Sequence, residues 1–244
     1  MKLTHTRLFL AAGLASLLVG CAGEEPAGTP GQLGNLRFAY SVPGVCEGCG
    51  TDREVLAGSI VDIDVDNIHK RVRYEVRSTR PDIVDFRFSA RCAYTLEERC
   101  RERIVVLTKA AGDADLEMYD DWTGTVFDRV TVKVRDAKSI ETTVKETLED
   151  GSARDVVADE GVFQLKVDSN VEIVASPRGA DGRELLATKG AIKGVYADER
   201  VVGPRPVFVG IPTVEYAKAN RAGVTTVAVT GSEARHELAF RVVD

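Results

Sequence analysis

A period-two alternation of apolar and polar residues recurs along most of this chain, and no other feature limits its possible folds as much. Val61, Ile63 and Val65 alternate with Asp62, Asp64 and Asp66. Val72, Tyr74 and Val76 alternate with Arg71, Arg73, Glu75 and Arg77, and Val84, Phe86, Phe88 and Ala90 alternate with Asp85, Arg87, Ser89 and Arg91. Successive side chains of an extended chain point to opposite faces, so each segment reads as a strand with one buried face. Arg37–Val42, Arg103–Leu107, the stretch around Leu116 and Met118, and Val130–Val134 complete a first series. A second series starts near Ile140. It comprises Phe163–Val167, Val171–Ala175, Leu185–Leu186, Ile192–Val195, Val207–Val209, Thr213–Tyr216, Val224–Val229 and Leu238–Val242, separated by Gly-, Pro- and Asp-rich turns. No segment has the 3.6-residue period of an amphipathic helix, and Tyr94–Arg103 has room for one helical turn at most. The fold class expected is all-β, built as sandwiches.

The start of the chain is of a different character. Lys2 and Arg7 precede an apolar run from Leu8 to Val19, too short for a spanning helix, and the run exits through Gly20 and Cys21. Leu18-Val19-Gly20-Cys21 resembles the bacterial lipobox. That resemblance implies cleavage before Cys21 and acylation of its sulfur and its new amine, which makes Cys21 the lipidation site and the membrane the first partner. Residue 22 is Ala, not Asp, which by analogy favours the outer membrane. Residues 21–34, rich in Gly, Pro and Glu, read as a flexible tether.

Removing residues 1–20 leaves 224 of the 244, enough for two domains of ordinary size. The expected division is 1–20 signal peptide, 21–34 tether, 35–137 a disulfide-bearing sandwich and 138–244 a second sandwich. Arg221–Gly231 followed by Leu238–Val242 resembles the last two strands of bacterial immunoglobulin-like domains. Ala111–Leu116 leading into Asp128–Val134 is a looser counterpart in the first half. Together with about seven strands in about 100 residues, this resemblance implies tandem immunoglobulin-like β-sandwiches.

Losing two cations, Lys2 and Arg7, moves the formal charge from −6 to −8. With Lys and Arg scattered rather than clustered, a nucleic-acid partner is not expected. Four cysteines remain after Cys21: Cys46, Cys49, Cys92 and Cys100. An even number in an exported chain reads as disulfides, with three pairings open. A cross-link from the Cys46 loop to the Cys92–Cys100 loop would hold down a segment poor in apolar residues. Two other chemistries use the same residues: a thiol-redox pair at Cys46 and Cys49, or a zinc site on all four sulfurs. Gly50-Thr51-Asp52 reads as a turn, which denies Cys49 the helix that redox pairs generally use.

Asp62, Asp64 and Asp66 share a strand face and read as a solvated edge paired with Arg71, Arg73 or Arg77, rather than as a calcium loop. Asp113, Asp115, Asp120 and Asp121 read as turn chemistry. His69, in a hairpin turn, and His236, on the last strand, read as exposed surface residues. Trp122 and Tyr119 read as a plug closing one sandwich end. No catalytic motif is present, so the expectation is a non-enzymatic, lipid-anchored envelope protein, without a cofactor, that binds a protein or glycan.

Overall fold

The computed structural model describes residues 28–69, 74–90, 99–188, 190–205 and 213–244. The chain is all-β. Its first half contributes β1 (Thr29–Pro30), β2 (Arg37–Val42), β3 (Cys46–Gly50), β4 (Val55–Leu56), β5 (Ile60–His69), β6 (Tyr74–Ser78), β7 (Val84–Ala90), β8 (Arg99–Thr108), β9 (Gly112–Asp120) and β10 (Val126–Arg135). Its second half contributes β11 (Ser139–Thr147), β12 (Ala153–Val156), β13 (Val162–Lys166), β14 (Asn170–Arg178), β15 (Ile192–Tyr196), β16 (Val202–Pro204), β17 (Val214–Ala219), β18 (Gly223–Gly231) and β19 (Ala234–Val243).

Four sheets form. One runs β1-β2-β5-β8-β7 with β3 also on β2, and it faces a sheet ordered β4-β10-β9-β6. The other two run β12-β11-β14-β17-β16 and β13-β19-β18-β15. The two halves repeat one plan. In each, four antiparallel strands make one layer, three more make the other, and a short strand joins that second layer in parallel, β4 on β10 and β13 on β19. This is the immunoglobulin strand order. In each half an extra strand, β3 or β12, hangs on the first long strand as a short hairpin.

The alternation drives the burial. Along β10, Asp128, Val130, Val132 and Val134 are buried while Arg129, Thr131, Lys133 and Arg135 are half-buried. One core gathers Phe38, Ile63, Leu116 and Met118 among others, and a second gathers Leu165, Ile173, Val229 and Phe240. Each core also takes a leucine from the other half: Leu186 packs into the first and Leu56 into the second. Backbone bonds hold this exchange. Leu56 donates its N–H to the Leu186 carbonyl at 2.7 Å, and Leu186 donates to the Glu54 carbonyl at 2.8 Å. The Ile60 N–H reaches the Thr188 hydroxyl at 2.6 Å.

Several sequence expectations need correction. Asn67-Ile68-His69 is not a hairpin turn. β5 continues to His69 through a bulge, where Asn67 adopts φ 73° and its amide donates to the Asn35 carbonyl. A short polar side chain tolerates that left-handed backbone and bonds locally. Arg99–Arg103 is strand, not helix, because β8 extends to meet the end of β5. Leu185–Leu186 is the clasp just described rather than a strand. Val72 and Val207–Val209 lie outside the described residues.

Candidate functional site

The sharpest sequence motif, Cys46-Glu47-Gly48-Cys49, is the strand β3. Gly44, at φ 73°, turns the chain back along β2, and the ladder slips register between Tyr40 and Ser41. Gly48 has φ 76°, a backbone shape that a β-carbon would disfavour. The kink brings the two cysteines together as a Cys46–Cys49 disulfide with Cα atoms 5.8 Å apart, inside the usual range. The link therefore closes a short loop within one hairpin and does not reach the Cys92–Cys100 segment. Cys21 and Cys92 lie outside the described residues, and for Cys100 only the backbone is described, opposite Ile68. Arg53 points a guanidinium nitrogen at the Cys49 sulfur, 3.6 Å away.

Under this hairpin, on the outer face of the sheet, is a polar groove of about 390 Å3. Glu47 and Gly48, the residues between the cysteines, wall it, while Ser41, Asp64, Asp66 and Arg103 line it from the sheet. The acidic face of β5 and the cysteine motif, far apart in sequence, thus converge. β8 pairs with β5 so that Arg103 stands opposite Asp64. Its guanidinium bonds Asp64 Oδ1 at 2.8 Å and Oδ2 at 3.4 Å, and approaches Asp62 Oδ2 at 3.7 Å. Asp64 is only 7% exposed. Of the expected partners of this acidic face, Arg71 and Arg73 lie outside the described residues, and Arg77 pairs with Glu117 in the opposite sheet. Burial pushes the Asp62 carboxyl above its ordinary value, against the pull of Arg103 and with help from the negative Asp64. The bond that Arg103 donates to Asp64, with the nearby charges of Asp64, Asp62 and Glu47, holds Arg103 still more firmly protonated. Three carboxylates around one guanidinium leave the groove net negative. Such a lining suits cationic groups and hydroxyl donors.

The other acidic group is not gathered. Asp113 pairs with Arg135 at 2.6 Å, Asp115 accepts from Thr131 at 2.6 Å, and Asp120 caps its own turn. Among the described residues no three His, Cys, Asp or Glu side chains form a group that could hold a metal ion. His236 lies on β19 opposite Val229 and is half-buried rather than exposed. Trp122 does not plug the sandwich: it is 96% exposed at the apex of the β9–β10 hairpin. Asp120 accepts the N–H groups of Trp122 and Thr123, both at 2.8 Å, and the Asp120 N–H donates to the Thr125 carbonyl. These bonds fix the turn with its indole outward. The Tyr119 ring instead lies under Arg77, 4.8 Å from its centroid.

Arg103 and Ser41 are polar groove residues that sequence reading missed. Only strand order brings them in, and the cue was the basic residue heading the Arg103–Leu107 strand, next to β5 in an immunoglobulin layer.

No family model matches this chain, and no curated protein matches it. Among solved structures, it is similar to domains 5–6 of the S-layer protein SbsC, at 14% identity over 85% of this chain and 97% of that one, with a TM-score of 0.29. It is similar to the Escherichia coli adhesin FdeC at 10% identity, over 89% of this chain and 67% of that one, with a TM-score of 0.31. InvD of Yersinia pseudotuberculosis gives 12%, 86%, 57% and 0.29 in the same order.

Proposed function

We propose that this chain is an exported lipoprotein, anchored through acylated Cys21 at the outer membrane, whose two sandwiches present a binding surface and carry out no catalysis. The groove under the Cys46–Cys49 hairpin is the binding site, and the observation that carries this is its construction. A covalently closed hairpin forms one wall, and on the floor a nearly buried Asp64 grips the half-exposed Arg103 guanidinium, so the polar groups are held in place before anything arrives. Its partner is a protein segment or glycan that offers cationic or hydroxyl groups. Glu47→Lys reverses a charge on the exposed wall without touching the core. Binding of the purified chain to envelope glycans and to envelope proteins should fall at least about tenfold in this variant, as loss of one charge-assisted contact implies. Equal binding by both forms overturns the site. Intact mass of membrane-extracted protein tests the anchor: a chain that lacks residues 1–20 and carries acyl groups supports it, and an unacylated chain removes it.

One contact favours a second reading, an exported thiol-redox or zinc protein that uses Cys46 and Cys49. Arg53 beside Cys49 would favour a thiolate once the disulfide is reduced. Thiol labelling after mild reduction separates the two: rapid labelling of Cys46 and Cys49 supports exchange chemistry, and resistance supports a structural brace.

A further inference from the structure

One end of the first sandwich presents two large apolar side chains to solvent. Trp122, the single tryptophan of the chain, is 96% exposed there and Leu33 is 51% exposed. Leu33 is tied to the foot of β10 by its N–H, which donates to Asp128 at 2.8 Å. At the same end Leu36, Ile68, Tyr74, Met118 and Phe127 line a largely apolar cavity of about 210 Å3. The strand directions put all of this opposite the Leu56–Leu186 clasp, because β5 runs from the clasp to Ile68 and β10 runs back from Val126 to it.

The length of chain between the lipid and the fold indicates what lies against this end. Six residues separate Cys21 from Gly28, and the seven steps between their Cα atoms span at most about 25 Å. Gly28 lies against the backbone of Phe38, which pairs with Val65 midway along β5. From there to the Trp122 end is roughly 15 Å of strand. A bilayer holding the Cys21 lipid is therefore within reach of the first sandwich, and the second sandwich lies beyond the clasp on the far side.

We propose that the Trp122 end of the first sandwich seats on the bilayer surface, with Trp122 and Leu33 at headgroup depth and the second sandwich directed away. The inference rests on acylation of Cys21. An indole has an apolar body and one polar N–H, which suits the interface between water and hydrocarbon. A lipid anchor is steadied by a second membrane signal. Asp121 beside Trp122 and the net negative charge of the chain select zwitterionic headgroups, whose ammonium groups can meet carboxylates, over anionic ones.

Trp122 is its own reporter. The acylated chain is reconstituted into phosphatidylcholine vesicles, its flotation is scored, and Trp122 emission is recorded with quenchers placed in water, at the headgroups or at mid-chain. The expected result is flotation, emission shifted to shorter wavelength than for the lipid-free chain, and strongest quenching from the headgroup position. The shift should shrink in vesicles rich in phosphatidylglycerol. A chain that does not float overturns both the anchoring reading and this one. A chain that floats while Trp122 stays open to the aqueous quencher overturns this inference alone and leaves the indole to a protein partner. Trp122→Ser, at an exposed position, should keep the fold and lower the floated fraction of a chain carrying a single acyl group.

Discussion

The two sandwiches repeat one strand plan, yet fasten their extra hairpins by different means. In the first, β3 is closed by the Cys46–Cys49 bond and stands over a groove. In the second, β12 is held by Glu146, a fully buried carboxylate that accepts from Arg154 at 2.6 and 2.7 Å and from the Lys166 N–H at 2.6 Å. The first sandwich also has a fully buried carboxylate, but Asp128 holds the entering segment instead. It accepts the N–H groups of Leu33, Asn35, Leu36 and Arg129 at 2.7–2.8 Å. The difference teaches that this strand order tolerates a decoration at the same point in each copy. The first copy places its covalent bond where a concave polar surface has to keep its shape, and the second braces its hairpin with an ion pair.

The contrast can be broken from its strongest side first. Asp128→Ala leaves buried N–H groups unpaired at about 1–3 kcal/mol each, so about 4 kcal/mol of stability should be lost. That corresponds to a fall in Tm of roughly 10 °C, read by calorimetry. Leu186→Ala should cost about 3 kcal/mol and, although it is a residue of the second half, should deprotect amides of the first sandwich in hydrogen exchange. Protection lost only in the second sandwich would show that the cores do not share it. Glu146→Gln should cost about 2 kcal/mol, less than removal of a fully buried pair, because Arg154 is half exposed. The double variant Cys46→Ser/Cys49→Ser removes a very short cross-link worth at most about 2 kcal/mol. It should lower partner binding more than it lowers Tm, and the reverse would make the bond purely structural.

The smallest effect is pH-dependent. The Asp120 carboxyl is held below its ordinary value of 3.8, first by the Thr123 N–H and then by that of Trp122. A depressed carboxyl contributes its stabilisation above the unfolded value and loses it as pH falls through the folded one. Between neutrality and about pH 5 the tip should therefore stay fixed, and below 3.8 the Trp122 anisotropy should drop. The Asp120→Asn variant should be less sensitive in that range.

Strands that bury one face were legible from the chain alone. β5, β7, β10, β14 and β19 carry the alternation that burial demands, and the tandem immunoglobulin plan was expected from strand number and spacing together with the resemblance of Arg221–Gly231 and Leu238–Val242 to the closing strands of bacterial immunoglobulin-like domains. β3, β4 and β12 were not legible. CEGCG and ARDV have no apolar face and VL is too short for a pattern; edge pairing with β2, β10 and β11 makes them strands. The candidate groove was half legible. Its cysteines and aspartates drew notice separately, but only the β2–β5–β8 register puts them around Arg103. Trp122 was misread because an aromatic residue between two turn residues looks like a plug. The carboxylate of Asp120, by capping the tip, settles its direction instead.

The traded leucines have a consequence for timing. A chain is made from its N-terminus, so the first sandwich acquires all ten of its strands before Leu186 exists. Its core has a vacancy until that residue arrives, and Leu56 waits exposed for a core not yet synthesised. The first sandwich should therefore remain loose and late to lock while the second is being made, and both halves should then close in one concerted step.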